Sequence, residues 1–257
     1  MSDDDDLVPS QELLDLTSDG TPRKQYKIYG DNFVHPYLVG RGQLRPGERV
    51  LEIGSGNGQK ARALAAYLNE DSSYEGIEIM PAAVEWCQRS YRRFPNFRFQ
   101  HADILNDMYN PRGKMQDFEY SLPFTANEFD FVFLCSVFTH MLKGGIARYI
   151  GEIGRVLKPG GRCLASFFLL NPDSLHWMTT RTPPVDFPHR HDDGCRLHNR
   201  EIVSDAVAVD EVWVRERFLA TDLRVTEVTY GHWSGCRDLI GGLQDMILAI
   251  KNVGRVS

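Results

Sequence analysis

The chain has 257 residues, 42% of them hydrophobic and 25% charged, which is enough apolar material to bury the core of one α/β domain. A formal net charge of −6 removes any general attraction to a polyanion, so a nucleic-acid partner is not expected. Five scattered cysteines (Cys87, Cys135, Cys163, Cys195, Cys236) argue for reduced thiols, and with no apolar run of membrane-spanning length and no leader-like N-terminus, a cytoplasmic protein without a membrane partner is expected.

Residues 1–22 open with four consecutive aspartates and read as a disordered or weakly ordered tail, with a short amphipathic helix around Leu13, Leu14 and Leu16. A single domain is expected from 23 to 257. Its first stretch, 23–44, carries Tyr26, Ile28, Tyr29, Phe33, Tyr37 and Leu38, too many large apolar groups for a free linker. Two readings stand: a lid over a ligand site, with Tyr29 touching a substrate, or packing on the outside of a sheet.

Residues 49–59 then run from an apolar strand (Val50, Leu51, Ile53) into Gly54, Gly56 and Gly58, with a helical pattern following at once. The glycines allow a sharp turn and leave room for a ligand beside the unpaired N–H groups of a helix start. A dinucleotide-binding G-x-G-x-x-G would need its third glycine where Gln59 stands, and it would not place Glu52 two residues ahead of the turn, where a carboxylate repels phosphate.

A second strand, Tyr74 to Ile79, meets Pro81, which suits the first turn of a helix over 81–94. Glu78 thus stands at a strand's carboxyl end, either as an acceptor for ribose hydroxyls or as an exposed charge. The third strand, 96–100, is closed by Asp103 and Ile104; Asp103 suits an adenine amino group or the N-cap of the next turn. After a long loop, 106–127, the run from Glu128 to Ser136 reads as a strand buried on both faces. Next come Phe138-Thr139-His140, a helix from about 144 to 157, a Lys158-Pro159-Gly160-Gly161 stop and a fifth strand over 162–170. An insertion, 171–221, precedes two last strands at 223–230 and 245–251. This alternation predicts a doubly wound parallel sheet.

Three stretches occur in one order: Glu52-x-Gly54-x-Gly56-x-Gly58, then Phe129-Asp130-Phe131-Val132 leading to Phe138-Thr139-His140, then Glu152-Ile153-Gly154-Arg155-Val156-Leu157-Lys158-Pro159-Gly160-Gly161. Over residues 46–170 the chain resembles the class I S-adenosylmethionine (SAM)-dependent methyltransferases of the small-molecule type, methyltransferase type 11/12-like. The resemblance implies an α/β, doubly wound, Rossmann-like seven-stranded sheet with its last strand antiparallel and helices on both faces. It implies SAM as cofactor and S-adenosylhomocysteine as product. By the same resemblance, Glu52, Gly54, Ser55, Gly56 and Gly58 hold the methionine part and Glu78 the ribose. Ile79, Asp103 and Ile104 then lie at the adenine, and the backbone near Cys135 and Ser136 meets the methionine amino group.

Methyl transfer to an oxygen or nitrogen of a small molecule, in secondary or sugar-related metabolism, is the expected function. Positioning and desolvation supply much of the acceleration of such a displacement, and a base helps where the acceptor holds a proton. His140 is the candidate, because an imidazole exchanges protons near neutral pH; the other reading is a histidine that packs the following helix. The insertion 171–221 is expected to build the acceptor pocket with Trp177, Met178, Phe187, Trp213 and Phe218, and Tyr29, Phe138, Trp177 and His176 are the expected substrate contacts. His189-x-His191-x3-Cys195-x2-His198 offers four metal-type ligands at a spacing that fits no common zinc pattern, and no metal is expected. A non-catalytic SAM-binding protein and a nicotinamide-dependent oxidoreductase are the alternative functions.

Overall fold

The computed structural model describes residues 5–17, 21–235 and 242–254; the first aspartates, Gly20 and Cys236 lie outside them. The strands in chain order begin with β1 (Arg49–Ile53), β2 (Ser73–Glu78), β3 (Phe97–His101), β4 (Phe129–Leu134) and β5 (Leu157–Phe167). Short strands β6 (Leu169–Leu170), β7 (His189–Asp192), β8 (Cys195–Leu197) and β9 (Val207–Asp210) follow, then β10 (Leu223–Thr229) and β11 (Asp245–Lys251). Seven of them form one sheet in the order β10-β11-β5-β4-β1-β2-β3, and the short four form another in the order β6-β9-β8-β7. β1, β2 and β3 pair in parallel, Ile53 opposite Ile77 and Glu78 opposite His101, whereas β11 runs antiparallel to both β5 and β10. The doubly wound sheet with an inverted last strand is therefore present.

The helices are α1 (Gln11–Thr17), α2 (Arg23–Phe33), α3 (Gln59–Tyr67), α4 (Pro81–Ser90), α5 (Lys143–Val156), α6 (Pro172–Thr180) and α7 (Glu211–Leu219). Proline sits in the first turn of α4 and α6, where its missing N–H costs nothing. In α5 the residues Ile146, Tyr149, Ile150, Ile153 and Val156 recur at helical spacing and are all buried.

By internal contacts the chain divides into two compact units, Met1–Asp103 with Phe129–Phe133, and Ile104–Glu128 with Leu134–Ser257. In the first, Tyr74, Tyr91, Phe97 and Phe99 stack into an aromatic core, with Tyr74 to Phe97 and Tyr91 to Phe99 both 4.9 Å between ring centroids. The short helix expected ahead of Gly20 is present as Gln11–Thr17; Leu7, Val8 and Leu14 are buried, and Val8 and Leu14 cluster with Tyr26. Residues 23–41 are likewise helical throughout, α2 passing into a π-helical segment, Val34–Arg41.

In the second unit the expected fifth strand splits. β5 stops at Phe167, and Leu169 and Leu170 turn into the smaller sheet to pair with Val209 and Asp210 of β9. Phe168, Leu170, Phe187, Ala206, Ala208 and Trp233 form the core on this side. Two aromatics expected to line an acceptor pocket, Phe187 and Phe218, are fully buried core residues. α7 begins only at Glu211, since Val209 is a buried strand residue and Asp210 caps the helix by accepting from the Trp213 amide.

Candidate active site

At the end of β1 the chain makes its glycine turn, and the turn is tied to β2. The amides of Gly54 and Ser55 both donate to the Ile77 carbonyl, at 2.8 and 3.0 Å. One turn of chain later, the Gly56 amide donates to Glu78 Oε2 at 2.7 Å. The other oxygen, Oε1, accepts from the Ile79 and Met80 amides at 2.7 and 2.9 Å. Glu78 therefore stands at the strand end as expected, and its carboxylate also organises the turn. Burial raises its pKa above the ordinary carboxyl value, while the three amides pull the other way.

Gly54, Gly56 and Gly58 all have positive φ (77°, 52° and 82°), a backbone region that side chains with a Cβ rarely enter. Gly56 faces open space, because a Cβ built there meets no atom within 4 Å. Ser55 is 2% exposed and its Oγ has no hydrogen-bond partner, an unmet polar atom at the same turn. Gly58 has no such room: the Tyr91 hydroxyl donates to its carbonyl at 2.9 Å, and a Cβ would meet Tyr91 and Cys87 at 3.1 Å.

Glu52, expected at the methionine part, is wholly buried behind the turn. The Tyr74 hydroxyl donates to its Oε2, and Lys60 Nζ lies 3.5 Å from Oε1, which accepts no hydrogen bond. Burial raises its pKa, against Lys60 and Tyr74. Its charge is balanced inside the protein by Lys60, so its observed partners are those of a support beneath the turn. Ile79 is half-buried beside Glu78, and Asp103 lies two residues beyond the end of β3, the strand paired with β2.

In the second unit, Ile104 is buried and bridges Met115, and its carbonyl accepts from Asn110 Nδ2 at 2.9 Å. Cys135 and Ser136 follow β4. Ser136 has a φ of +57°, a conformation costing a non-glycine residue about 1–3 kcal/mol, and its amide is held by Ser166 Oγ at 2.7 Å. Its hydroxyl is bonded to the Gln244 side chain, with Nε2 to Oγ at 2.9 Å. Next to Gln244, the wholly buried Asp245 takes three donors: the Gly231 amide, the Leu169 amide and Trp233 Nε1, each at 2.7 Å. Sequence reasoning missed Ser166, Gln244 and Asp245. The signal for Asp245 was present, a lone acid opening an otherwise apolar strand.

His140 ends a short 3-10 turn, Phe138–His140. Its Nδ1 lies 2.7 Å from the Ser204 carbonyl, which only accepts, so Nδ1 carries the proton and the neutral ring offers its lone pair at Nε2. Tyr109 meets the imidazole edge-on, with ring centroids 5.4 Å apart. Phe138, expected as a substrate contact, is 1% exposed and packs on Phe167, with ring centroids 5.0 Å apart.

Tyr29 is exposed on α2, its hydroxyl donating to Gln25 one helical turn away. His176 is exposed on α6, while Trp177 is half-buried against Gly235, where a Cβ would fall 2.3 Å from the indole. Of the His189, His191, Cys195 and His198 set, Cys195 is buried on β8 while His191 and His198, the latter just beyond that strand, are exposed. Among the described residues no group of three His, Cys, Asp or Glu side chains is arranged to hold a metal. Among them, too, no helix is long and apolar enough to cross a membrane.

Residues 51–165 match the family model described as a methyltransferase domain. The chain is 30% identical over 115 residues to the phthiotriol/phenolphthiotriol dimycocerosates methyltransferase of Mycobacterium leprae (strain TN), covering 45% of this chain and 36% of that one. It is 33% identical over 167 residues to the 27-O-demethylrifamycin SV methyltransferase of Amycolatopsis mediterranei (strain S699), covering 57% and 54%. It thus spans about half the length, or less, of these curated relatives. Among solved structures, the Burkholderia thailandensis 1,6-didemethyltoxoflavin-N1-methyltransferase, crystallised with 1,6-didemethyltoxoflavin and S-adenosylhomocysteine, superposes with a TM-score of 0.55 at 16% identity over 94% of this chain and 86% of that one, a likeness of fold. Over residues 51–165 the chain is thus similar to a methyltransferase domain, and the relatives it matches there are methyltransferases by name.

Proposed function

We propose that this protein transfers a methyl group from SAM to an oxygen or nitrogen of a small molecule, in the cytosol and in secondary or sugar-related metabolism. The residues fit the cofactor: Gly56 opens onto free space, Ser55 Oγ is a buried hydroxyl awaiting a partner, and Glu78 presents a carboxylate at the strand end. Within the first unit, Gly54, Ser55, Gly56, Glu78, Ile79 and Asp103 would hold it. Bound SAM supplies an electrophilic sulfonium methyl group. The protein's own part is to aim the acceptor, exclude water and take its proton.

The observation that carries the reading of a proton-bearing acceptor is the His140 ring, fixed through Nδ1 on the Ser204 carbonyl with Nε2 left as the base. The relative named for 27-O-demethylrifamycin SV supports an oxygen target. Calorimetric titration with SAM, S-adenosylhomocysteine and NAD tests the cofactor site, followed by a screen of phenol, sugar and amine acceptors. Saturable binding of the first two and methylation of a hydroxyl or amine are the expected results. NAD binding alone would overturn the reading, and tight SAM binding with no turnover would make this a non-catalytic SAM-binding protein.

Glu78→Ala is expected to weaken SAM binding by about 1–3 kcal/mol, since it strips an acceptor from the ribose and strands the Gly56 amide that shapes the turn. Unchanged affinity in the same titration would place the ribose elsewhere.

A further inference from the structure

We propose that α1 and α2 belong to the cofactor site, latching the glycine turn through Thr17, Tyr26 and Asn57, so that docking of residues 11–33 and binding of SAM strengthen each other. The proposal rests on the reading that this turn holds SAM. Asn57 lies between Gly56 and Gly58 and is 3% exposed. Its carbonyl accepts from the hydroxyl of Tyr26, itself wholly buried, at 2.9 Å. Its side-chain Nδ2 donates to Thr17 Oγ1 at 2.9 Å, and that hydroxyl in turn donates to the Leu13 carbonyl within α1 at 2.6 Å. One residue of the turn is therefore bonded by main chain to α2 and by side chain to α1.

The first turn of α3 is gripped as well. Gly30 of α2 lies so close that a Cβ there would fall 2.5 Å from the Gln59 carbonyl. The buried Arg62 guanidinium pairs with Asp31 and donates to the Lys27 carbonyl. Beyond the glycine turn, then, the backbone is set by an element that precedes it in the chain by more than twenty residues.

The latch has the energetics of something a ligand can shift. α1 is seven residues long, far below the length at which a helix is stable alone in water, so it exists by docking. The apolar cluster that docks it is small, comprising Val8, Leu14 and Tyr26. Segments with few buried apolar contacts open at the low end of a protein's stability range. If docking fixes the turn in the form that binds SAM, linkage requires SAM to favour docking by the same factor. Thr17 and Tyr26 are then positioning residues, acting on the cofactor through Asn57.

The test uses the full chain. Thr17→Val and Tyr26→Phe each remove one hydroxyl with little change of shape, and each is expected to weaken SAM binding about 3- to 10-fold. Thr17→Ser, which keeps the hydroxyl, is expected to bind as the wild type does, and SAM is expected to slow amide exchange across residues 11–33 of the wild type. A purely structural role would lower the melting temperature of the unliganded variants and leave SAM affinity unchanged; that result, or exchange over 11–33 indifferent to SAM, overturns the latch. If a variant fails to fold, the wild-type exchange measurement decides. Glu78→Ala separates the two ideas: if it loses SAM while the latch variants do not, the latch alone fails, and if it binds normally the turn itself is not the site.

Discussion

Replacing His140 with alanine is expected to slow methyl transfer to a hydroxyl acceptor by about 10²- to 10⁴-fold, the range for loss of a positioned general base. The expectation comes from the ring's tautomer. A carbonyl cannot donate, so the 2.7 Å contact with Ser204 places the proton on Nδ1 and leaves Nε2 as the basic atom. Tyr109 packs edge-on against the imidazole and limits its rotation. Because the alanine variant keeps the glycine turn and Glu78, SAM affinity should stay within about two-fold, and the loss should appear in the rate of the chemical step. Single-turnover kinetics beside a SAM titration check both halves. An unchanged rate would make His140 a structural residue, and an equal loss of SAM affinity would place it among the cofactor contacts.

Asp245→Ala is expected to lower stability by roughly 3–5 kcal/mol near pH 5, because it strands three buried donors at once. Two are backbone amides, Leu169 at the start of the smaller sheet and Gly231 just ahead of the 3-10 turn His232–Ser234; the third is the indole of the wholly buried Trp233. Burial pushes the Asp245 carboxyl up to about 7, against those donors and with the help of nearby Glu211. The sign of the pH effect follows. A folded carboxyl that holds its proton more tightly than the unfolded one, near 3.9, adds stability that is complete below about pH 4 and is lost as pH rises to about 7, an amount of about 4 kcal/mol. Denaturant melts at pH 5 and pH 8 should therefore show the gap between variant and wild type narrowing as pH rises. A gap constant with pH would show that Asp245 does not titrate in this window, and a variant as stable as the wild type would show that the donors find other partners. The stakes are functional too, since Asp245 adjoins Gln244, the partner of Ser136 at the end of β4.

Much of the site was legible in the sequence because its parts are local. A strand that ends in alternate glycines must turn within a few residues, and Gly54, Gly56 and Gly58 do so with positive φ. Glu78 had to stand at a carboxyl end because the apolar run ended there and Pro81 opened a helix. Apolar runs of strand length, separated by stretches of helical period, required the alternating architecture, and the long apolar run at 129–134 required a strand buried on both faces.

Tertiary structure decided what depends on which surfaces meet. Periodicity tells whether a side chain is buried but not against what, so Phe138 was expected at a substrate and only the fold shows Phe167 beside it. The proton on His140 is set by a carbonyl 64 residues away, and the glycine turn is held by Tyr26 and Thr17, 31 and 40 residues from Asn57. Asp245 gathers donors from 12, 14 and 76 residues away. The sequence alone determined the sheet's alternating elements, the ligand turn and the acid beside it, because backbone sterics and side-chain period act over a few residues. The partners that fix their conformation and charge were decided only in the fold, because a buried donor must be satisfied by whatever acceptor the packing brings to it.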